Sequence, residues 1–526
     1  MKHHASTPLH KITLYQFKGF DMGEFIKQYL YIITPHETID ENTLSVYKPA
    51  EMKMSEARRG AKDENIITCK CMYLQDAIVR RAYAKADSQT FSLSSTILKE
   101  VIGDDYKPML EVLEEMGYIV MGDGNGGADN RWYYQPMVSA MRYTLLDVEV
   151  EQITILDLKI QTYKEETKRR VEVHNEEALA NVVDKSFIKK YITSLKYIRI
   201  ADYEGLRAYI SNAILNKPKS NLYYDFVVKS LEDKDRRIHS IDSCHRFYHV
   251  LTNLDRNIKK YLTIDYMLDA KNSHPLLFNH YVFDKHHIDK YSSYLLSKWY
   301  IDTYNNILNN NKLNKEYTSF SDKGEISNFP YYSVLHNVAK NLSNSLIENN
   351  IIKRTFAELT PDEVEYTFKT TNGLLWDEIC LEHPNLERGE VKEKMFGAVF
   401  YSKIPDAERW YKSEYADEFK SKYPSVYKLI DSWKDDKNQD AVKVYLAEHK
   451  LPYRENACLP IAMMALESDI FLTILKRLYA KRWNAVHLHD CIVIPLDGNA
   501  NHPTKEQVKE IMLDVYKEFG LCPTLD

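Results

Sequence analysis

Asp269 closes an apolar, strand-like run over residues 261–268, "YLTIDYML", and a polar turn and a second apolar run follow at once. Asp490 interrupts another such run, "NAVHLHDCIVIPLDG", where apolar side chains reach a His-Asp pair and resume directly after it. A carboxylate inside a buried strand is costly unless something pairs with its charge. Two of them suit divalent ions, since hard cations take oxygen ligands. A pair of bridged ions stabilises both the attacking and the leaving oxygen in phosphoryl transfer. Asp269 and Asp490 are therefore the expected catalytic and metal-binding residues, for two Mg²⁺ ions that Mn²⁺ could replace. Between them, "LERGEVKEKMFGAVFYSK" sets Arg388, Lys392, Phe396 and Phe400 at i, i+4, i+8 and i+12. Four residues advance an α-helix by about 400°, so the four form one slowly winding stripe. Cations at one end and rings at the other suit a nucleotide, with phosphates at the cations and the base against the rings. Lys392 is the expected catalytic cation; Arg388, Phe396 and Phe400 are expected substrate contacts.

These residues need two strands and a helix to hold them. Asp265 precedes Asp269 by four positions, on the same face of an alternating strand, and is an alternative carboxylate. Upstream, residues 1–85 have a weak mixed pattern. Residues 92–137 read as helix, helix and β-hairpin, the order of a winged helix, with Gly124–Gly127 at the wing tip. The second helix, "KPMLEVLEEM", is acidic for a major-groove reader, so a contact with a protein partner is the competing use. Residues 150–185 are charge-dense, as in a solvated helix or linker, and 185–235 are helical and rich in Lys and Tyr. Residues 305–329 are Asn-rich and read as a surface loop.

Composition bounds the answer. The 526 residues are 44% hydrophobic and 28% charged, enough for several packed domains. With 70 Lys and Arg against 76 acids the net charge is −6, which argues against a general nucleic-acid coat and permits a local basic groove. Seven scattered cysteines read as reduced thiols of a cytoplasmic protein. No apolar run near 18 residues stands out, so a membrane span is not expected. The spacing of His274, His280, His286 and His287 fits no zinc motif, and Cys491 reads as an apolar filler.

In this order the stretches resemble the catalytic half of family A DNA polymerases and the related single-subunit phage and mitochondrial RNA polymerases. Asp269 matches the strand-end aspartate of motif A. Arg388, Lys392 and Phe396 match the Arg-x3-Lys-x3-Phe of motif B, and His489 and Asp490 match motif C. "KYPSVYKLIDSW", "YRENACLPIAMMALESDIFLTIL" and "TKEQVKEIMLDVYKEFGLCPTL" are similar to the connecting and closing segments, and "HRFYHVLTNLDRNIKKYL", with Arg246, to the template-side segment before motif A. Phe400 and Tyr401 stand where the family has Tyr-Gly, and His274 where the DNA enzymes have Glu. Glu467 is the nearest polar counterpart of the Gln before motif C, or else a structural cap. The likeness spans about residues 236–526. It implies an α+β right hand, with palm and fingers over 236–526 (fingers about 300–415), a helical thumb-like segment over 151–235, and an N-terminal region over 1–150 with the winged-helix-like module. It implies a nucleotidyltransferase acting on primer-template and nucleoside triphosphates. Arg246, His274, His489 and Tyr401 join the substrate contacts. No proofreading exonuclease motif is present. DNA synthesis is the favoured activity; a phage-type RNA polymerase or primase-like enzyme, and an idle palm-fold nucleic-acid binder, are the alternatives.

Overall fold

The computed structural model describes residues 12–33, 38–40, 45–47, 63–83, 90–93, 98–99, 102–121, 141–146, 149–155, 179–180, 182–216, 221–232, 238–252, 254–310, 350–400, 410–434, 438–453 and 457–526. Helices and short antiparallel strands mix in an α+β architecture. Two compact units interleave along the chain. The first comprises residues 1–181, 200–235 and 253–261; the second comprises 182–199, 236–252 and 262–526.

The first unit runs β1 (Ile12–Phe17), α1 (Met22–Ile33), β2 (Thr38–Asp40), β3 (Ser45–Tyr47), α2 (Glu64–Ala82), β4 (Thr90–Leu93), α3 (Tyr106–Glu115), β5 (Ile119–Met121), β6 (Met141–Leu145) and β7 (Val150–Ile155). β1 pairs with β7, β2 with β3, and β4-β6-β5 form a three-stranded antiparallel sheet. The N–H groups of Tyr15 and Phe17 donate to Asp76 and Gln75 of α2, each at 3.0 Å. Those two polar side chains are buried because a strand edge needs acceptors there. α3 buries Tyr106, Met109, Leu110 and Leu113, a helical stripe. It stops at Gly117, whose φ of 77° lets the Tyr118 N–H close on the Leu113 carbonyl at 2.9 Å. β4 is a strand that the sequence pattern does not announce, and β6 is the one that returns beside β5. The wing tip and residues 131–136 lie outside the described residues. Val150–Ile155, expected as the start of a solvated helix or linker, is a strand because β1 supplies its ladder.

α4 (Lys185–Tyr197) belongs to the second unit, whereas α5 (Tyr203–Asn216) and α6 (Asn221–Glu232) return to the first. The 151–235 segment is thus divided between the units. The second unit continues with β8 (Ile238–Ile241), β9 (Phe247–His249), β10 (Ile264–Asp269), α7 (Ser273–Lys285), α8 (Lys290–Asn310), α9 (Asn350–Glu358), α10 (Pro361–Thr371), α11 (Leu375–Glu382) and α12 (Arg388–Met395). It ends with α13 (Trp410–Lys422), α14 (Pro424–Ser432), α15 (Gln439–Glu448), α16 (Cys458–Ala480), β11 (Val486–Leu488), β12 (Cys491–Pro495) and α17 (Lys505–Glu518). Its sheet has the order β10-β12-β11, with a fully buried β12 in the centre. α16 corrects one expectation: by length and composition this helix is apolar enough to cross a membrane. Yet 78% of its apolar window is buried inside the protein, the position of a core helix.

Candidate active site

The β11–β12 hairpin decides where Asp490 sits. Leu488 pairs with Cys491, so only His489 and Asp490 form the connection. Asp490 therefore lies in a two-residue turn, not in the middle of a strand as its apolar flanks suggest. Tight hairpins demand positive φ at the first central position, and His489 adopts φ 53° there. A non-glycine residue in that region is a strained feature of the kind that collects at functional sites. Beneath the turn, buried His487 accepts at its carbonyl from His249 Nε2 (3.2 Å) and the Tyr191 hydroxyl (3.3 Å). His249 Nδ1 accepts from the Leu251 N–H at 3.3 Å, which leaves the proton on Nε2. Burial drives the His487 pKa down to about 3, so its ring is neutral.

β10 brings Asp269 to the same end of the sheet. Asp269 pairs with Cys491, and the next residue, Ala270, donates its N–H to the Asp490 carbonyl at 3.2 Å. Asp265 is occupied elsewhere: the register shifts between Ile264 and Tyr266, and His502 Nε2 meets the Asp265 carboxylate at 2.9 Å.

A cavity of about 290 Å³ opens beside Asp490. One wall is the first turn of α7, through Ser273, His274 and Pro275. Its N-cap, Asn272, has φ 55° and a buried amide with no hydrogen-bond partner among the described residues. Lys392 of α12, Phe396, Glu467 of α16, Arg246, His489 and Asp490 complete the lining. Arg246 is aimed by the β8–β9 turn, where Asp242 accepts the N–H groups of Cys244 (2.8 Å) and Arg246 (2.9 Å). Its Nη2 donates to Glu467 at 2.5 Å and lies 3.1 Å from His274 Nε2. A guanidinium only donates, so Nε2 of His274 is the acceptor and its proton is on Nδ1. Burial, then the Arg246 charge, hold the His274 pKa down to about 4. Glu467 also accepts from Ser273 Oγ at 3.2 Å. Burial raises its pKa and Arg246 opposes the rise.

The Phe396 ring stands 4.9 Å from Trp376, 5.5 Å from Phe400 and 5.6 Å, edge-on, from His274. Lys392 Nζ lies 5.8 Å from its centroid. Asp490 is pushed above the usual carboxylate range first by burial and next by Glu467, with Lys392 acting against both. The surroundings thus leave room for positive charge beside this carboxylate.

Arg246, His274, Lys392, Phe396, His489 and Asp490 are brought together, and Asp269 adjoins them at the sheet end. Arg388 is not: it is 48% exposed and paired with Asp377 of α11 at 2.9 Å. Phe400 is not: α12 passes into a single π turn, Phe396–Phe400, which carries Phe400 into the core against Phe278 (5.9 Å) and Phe419 (6.0 Å). The expected continuous stripe is broken there. Tyr401 lies outside the described residues. Ser273 and Pro275 were missed, although the polar "KNSHP" after Asp269 marks a helix start. Glu467 joins the site as the partner of Arg246; its signal is a carboxylate inside an otherwise apolar helix.

Among the described residues no three His, Cys, Asp or Glu side chains gather to hold a metal. The two carboxylates at the sheet end are hard oxygen donors that leave other positions open. Such a set fits Mg²⁺, which keeps waters and takes substrate phosphate oxygens. Compared with known proteins, the chain matches no family model, no curated protein and no solved structure.

Proposed function

We propose that the second unit is the catalytic core of a template-directed nucleic-acid polymerase of the family A type, extending a primer with deoxynucleoside triphosphates. The observation that carries this reading is the convergence of Asp490, Lys392, Phe396, His274 and Arg246 on one cavity, from four segments of the chain, with Asp269 beside it. In this reading the β10-β12-β11 sheet is the palm, and α8–α13 supply the fingers.

Asp269 and Asp490 would hold the Mg²⁺ ions, which when bound stabilise charge on the attacking and leaving oxygens. The primer 3′-oxygen forms a bond to the α-phosphorus as the bond to pyrophosphate breaks. Lys392 faces the phosphates from the exposed side of α12, and the first turn of α7 turns its dipole-positive end toward them. The Phe396 ring offers a face to the base. His274 is pinned by Arg246 and Phe396, so its ring cannot swing away and crowds a 2′-hydroxyl. In this reading that crowding favours dNTP over rNTP, and with it DNA synthesis over phage-type RNA or primase-like synthesis.

The test is extension of matched DNA and RNA primers on DNA and RNA templates with Mg²⁺, supplying dNTP and rNTP separately. Incorporation of dNTP on a primed template is expected. Incorporation of rNTP alone would move the reading to an RNA polymerase. No incorporation on any substrate, with nucleic acid still bound, would leave an idle palm-fold binder.

A further inference from the structure

α4 carries Lys185, Lys189 and Lys196 at i, i+4 and i+11, all exposed. At 100° per residue they fall within an arc of about 40°, along roughly 16 Å of helix. The opposite face holds Phe187, Tyr191 and Leu195, which are buried. The lysine stripe therefore points away from the protein. α4 rests on the end of α16: the Phe187 and Tyr479 rings lie 5.1 Å apart, and Lys190 Nζ reaches Asn484 Oδ1 (2.8 Å) and the Arg482 carbonyl (3.5 Å). At and just beyond that end of α16, Lys476, Lys481 and Arg482 are exposed as well. Over 184–200 the sequence has five cations and one carboxylate, Asp184, which is used to cap α4 through the Phe187 N–H at 2.8 Å; over 476–482 it has four cations and no carboxylate. Two segments almost 300 positions apart thus build one basic ridge on a chain of net charge −6.

Helix dipoles explain part of this. Cations at the C-terminal turn of α16 and at Lys196 of α4 complement the negative helix end. Lys185 and Lys189 cannot be so explained, because they occupy the first turns of α4, where the dipole disfavours positive charge. Among the described residues none of Lys185, Lys189 and Lys196 is held in a salt bridge. A membrane-surface helix would present apolar side chains for insertion; those of α4 are used in the core.

We propose that this ridge binds the phosphate backbone of nucleic acid, at a site separate from the cavity. The assignment stands on the ridge itself and does not require the catalytic reading. The measurement is anisotropy of a labelled 20-base-pair DNA duplex, and of its single strand, with the full chain over a salt series. Lys185→Glu/Lys189→Glu/Lys196→Glu is compared with Lys505→Glu/Lys509→Glu, a charge change at two exposed positions of α17, and each variant is melted to check folding. The ridge variant should lose at least about tenfold in affinity, and its log–log salt slope should be shallower by about 3, near one per phosphate contact. Lys481→Glu/Arg482→Glu should give a smaller loss in the same direction. Duplex and single-strand arms identify which strand form is held. Unchanged affinity and slope in the folded ridge variant would overturn the proposal. So would an equal loss in the α17 variant, or a loss confined to anionic phosphatidylserine vesicles. If the parent bound through the ridge yet incorporated no nucleotide, the polymerase reading would fall and the ridge would stand.

Discussion

Asp490 is held where its uncharged form is favoured, by burial and by Glu467. A residue kept for stability would not be placed so. Asp490→Asn should leave the melting temperature unchanged or raised, while incorporation falls by roughly 10³ or more through loss of metal-centred charge stabilisation. Asp269→Asn, on an exposed carboxylate, should cost similar activity with an unchanged melt. Near-normal extension by either folded variant would remove the assignment. The two cations at 388 and 392 should now separate. Lys392→Ala lines the cavity and should raise KM for the triphosphate and lower kcat together. Arg388→Ala loses a half-exposed ion pair, worth about 0–1 kcal/mol, and should hardly change either constant. Equal kinetic defects in the two would restore the unbroken stripe.

At the scale of elements, the π turn at Phe396–Phe400 separates a ring that lines the cavity from a ring that packs the core. Such turns are rare and frequent at functional sites. Buried Lys434, just past α14, donates to the Val399 carbonyl inside this turn. Lys434→Met keeps the aliphatic stem and leaves that carbonyl without its ammonium. The expected loss is about 1.5–3 kcal/mol in urea unfolding, the range for a hydrogen bond to a charged group. KM for the triphosphate should rise with it, because Lys392 and Phe396 adjoin the turn. Lys434→Arg should recover part of both. A variant with lowered stability and parental KM would mean that the contact only packs the fold.

Across the second unit, folding keeps His274 and His487 neutral, with pKa values lowered to about 4 and about 3, burial being the first cause in each. An unfolded histidine titrates near 6.5. Below that pH the unfolded chain takes up protons that the folded one refuses, so stability falls with pH. The contribution is complete above about pH 6.5, declines as the pH falls, to about 4 for His274 and about 3 for His487, and is gone below that. His487→Asn should flatten this decline, by about 3 kcal/mol at pH 4, in thermal melts against pH. A parental slope in that variant would place the acid sensitivity elsewhere.

The residues that could do chemistry were legible because their signals are local. A carboxylate in an apolar run, and cations and rings four apart, need only the chain's own periodicity. The helix at 388–395 follows from a pattern of the same range. Tertiary structure decided the rest. Asp490 falls in a turn because β11 must pair with β12, and alternation alone cannot say where one apolar run folds back on itself. Arg388 leaves the site because Asp377 lies within reach. Phe400 leaves it because a π turn, held by Lys434, rotates the helix. Glu467 enters because Arg246, 221 positions earlier, meets it at 2.5 Å. Each outcome rests on a contact between two different elements, so no pattern within one element could carry it.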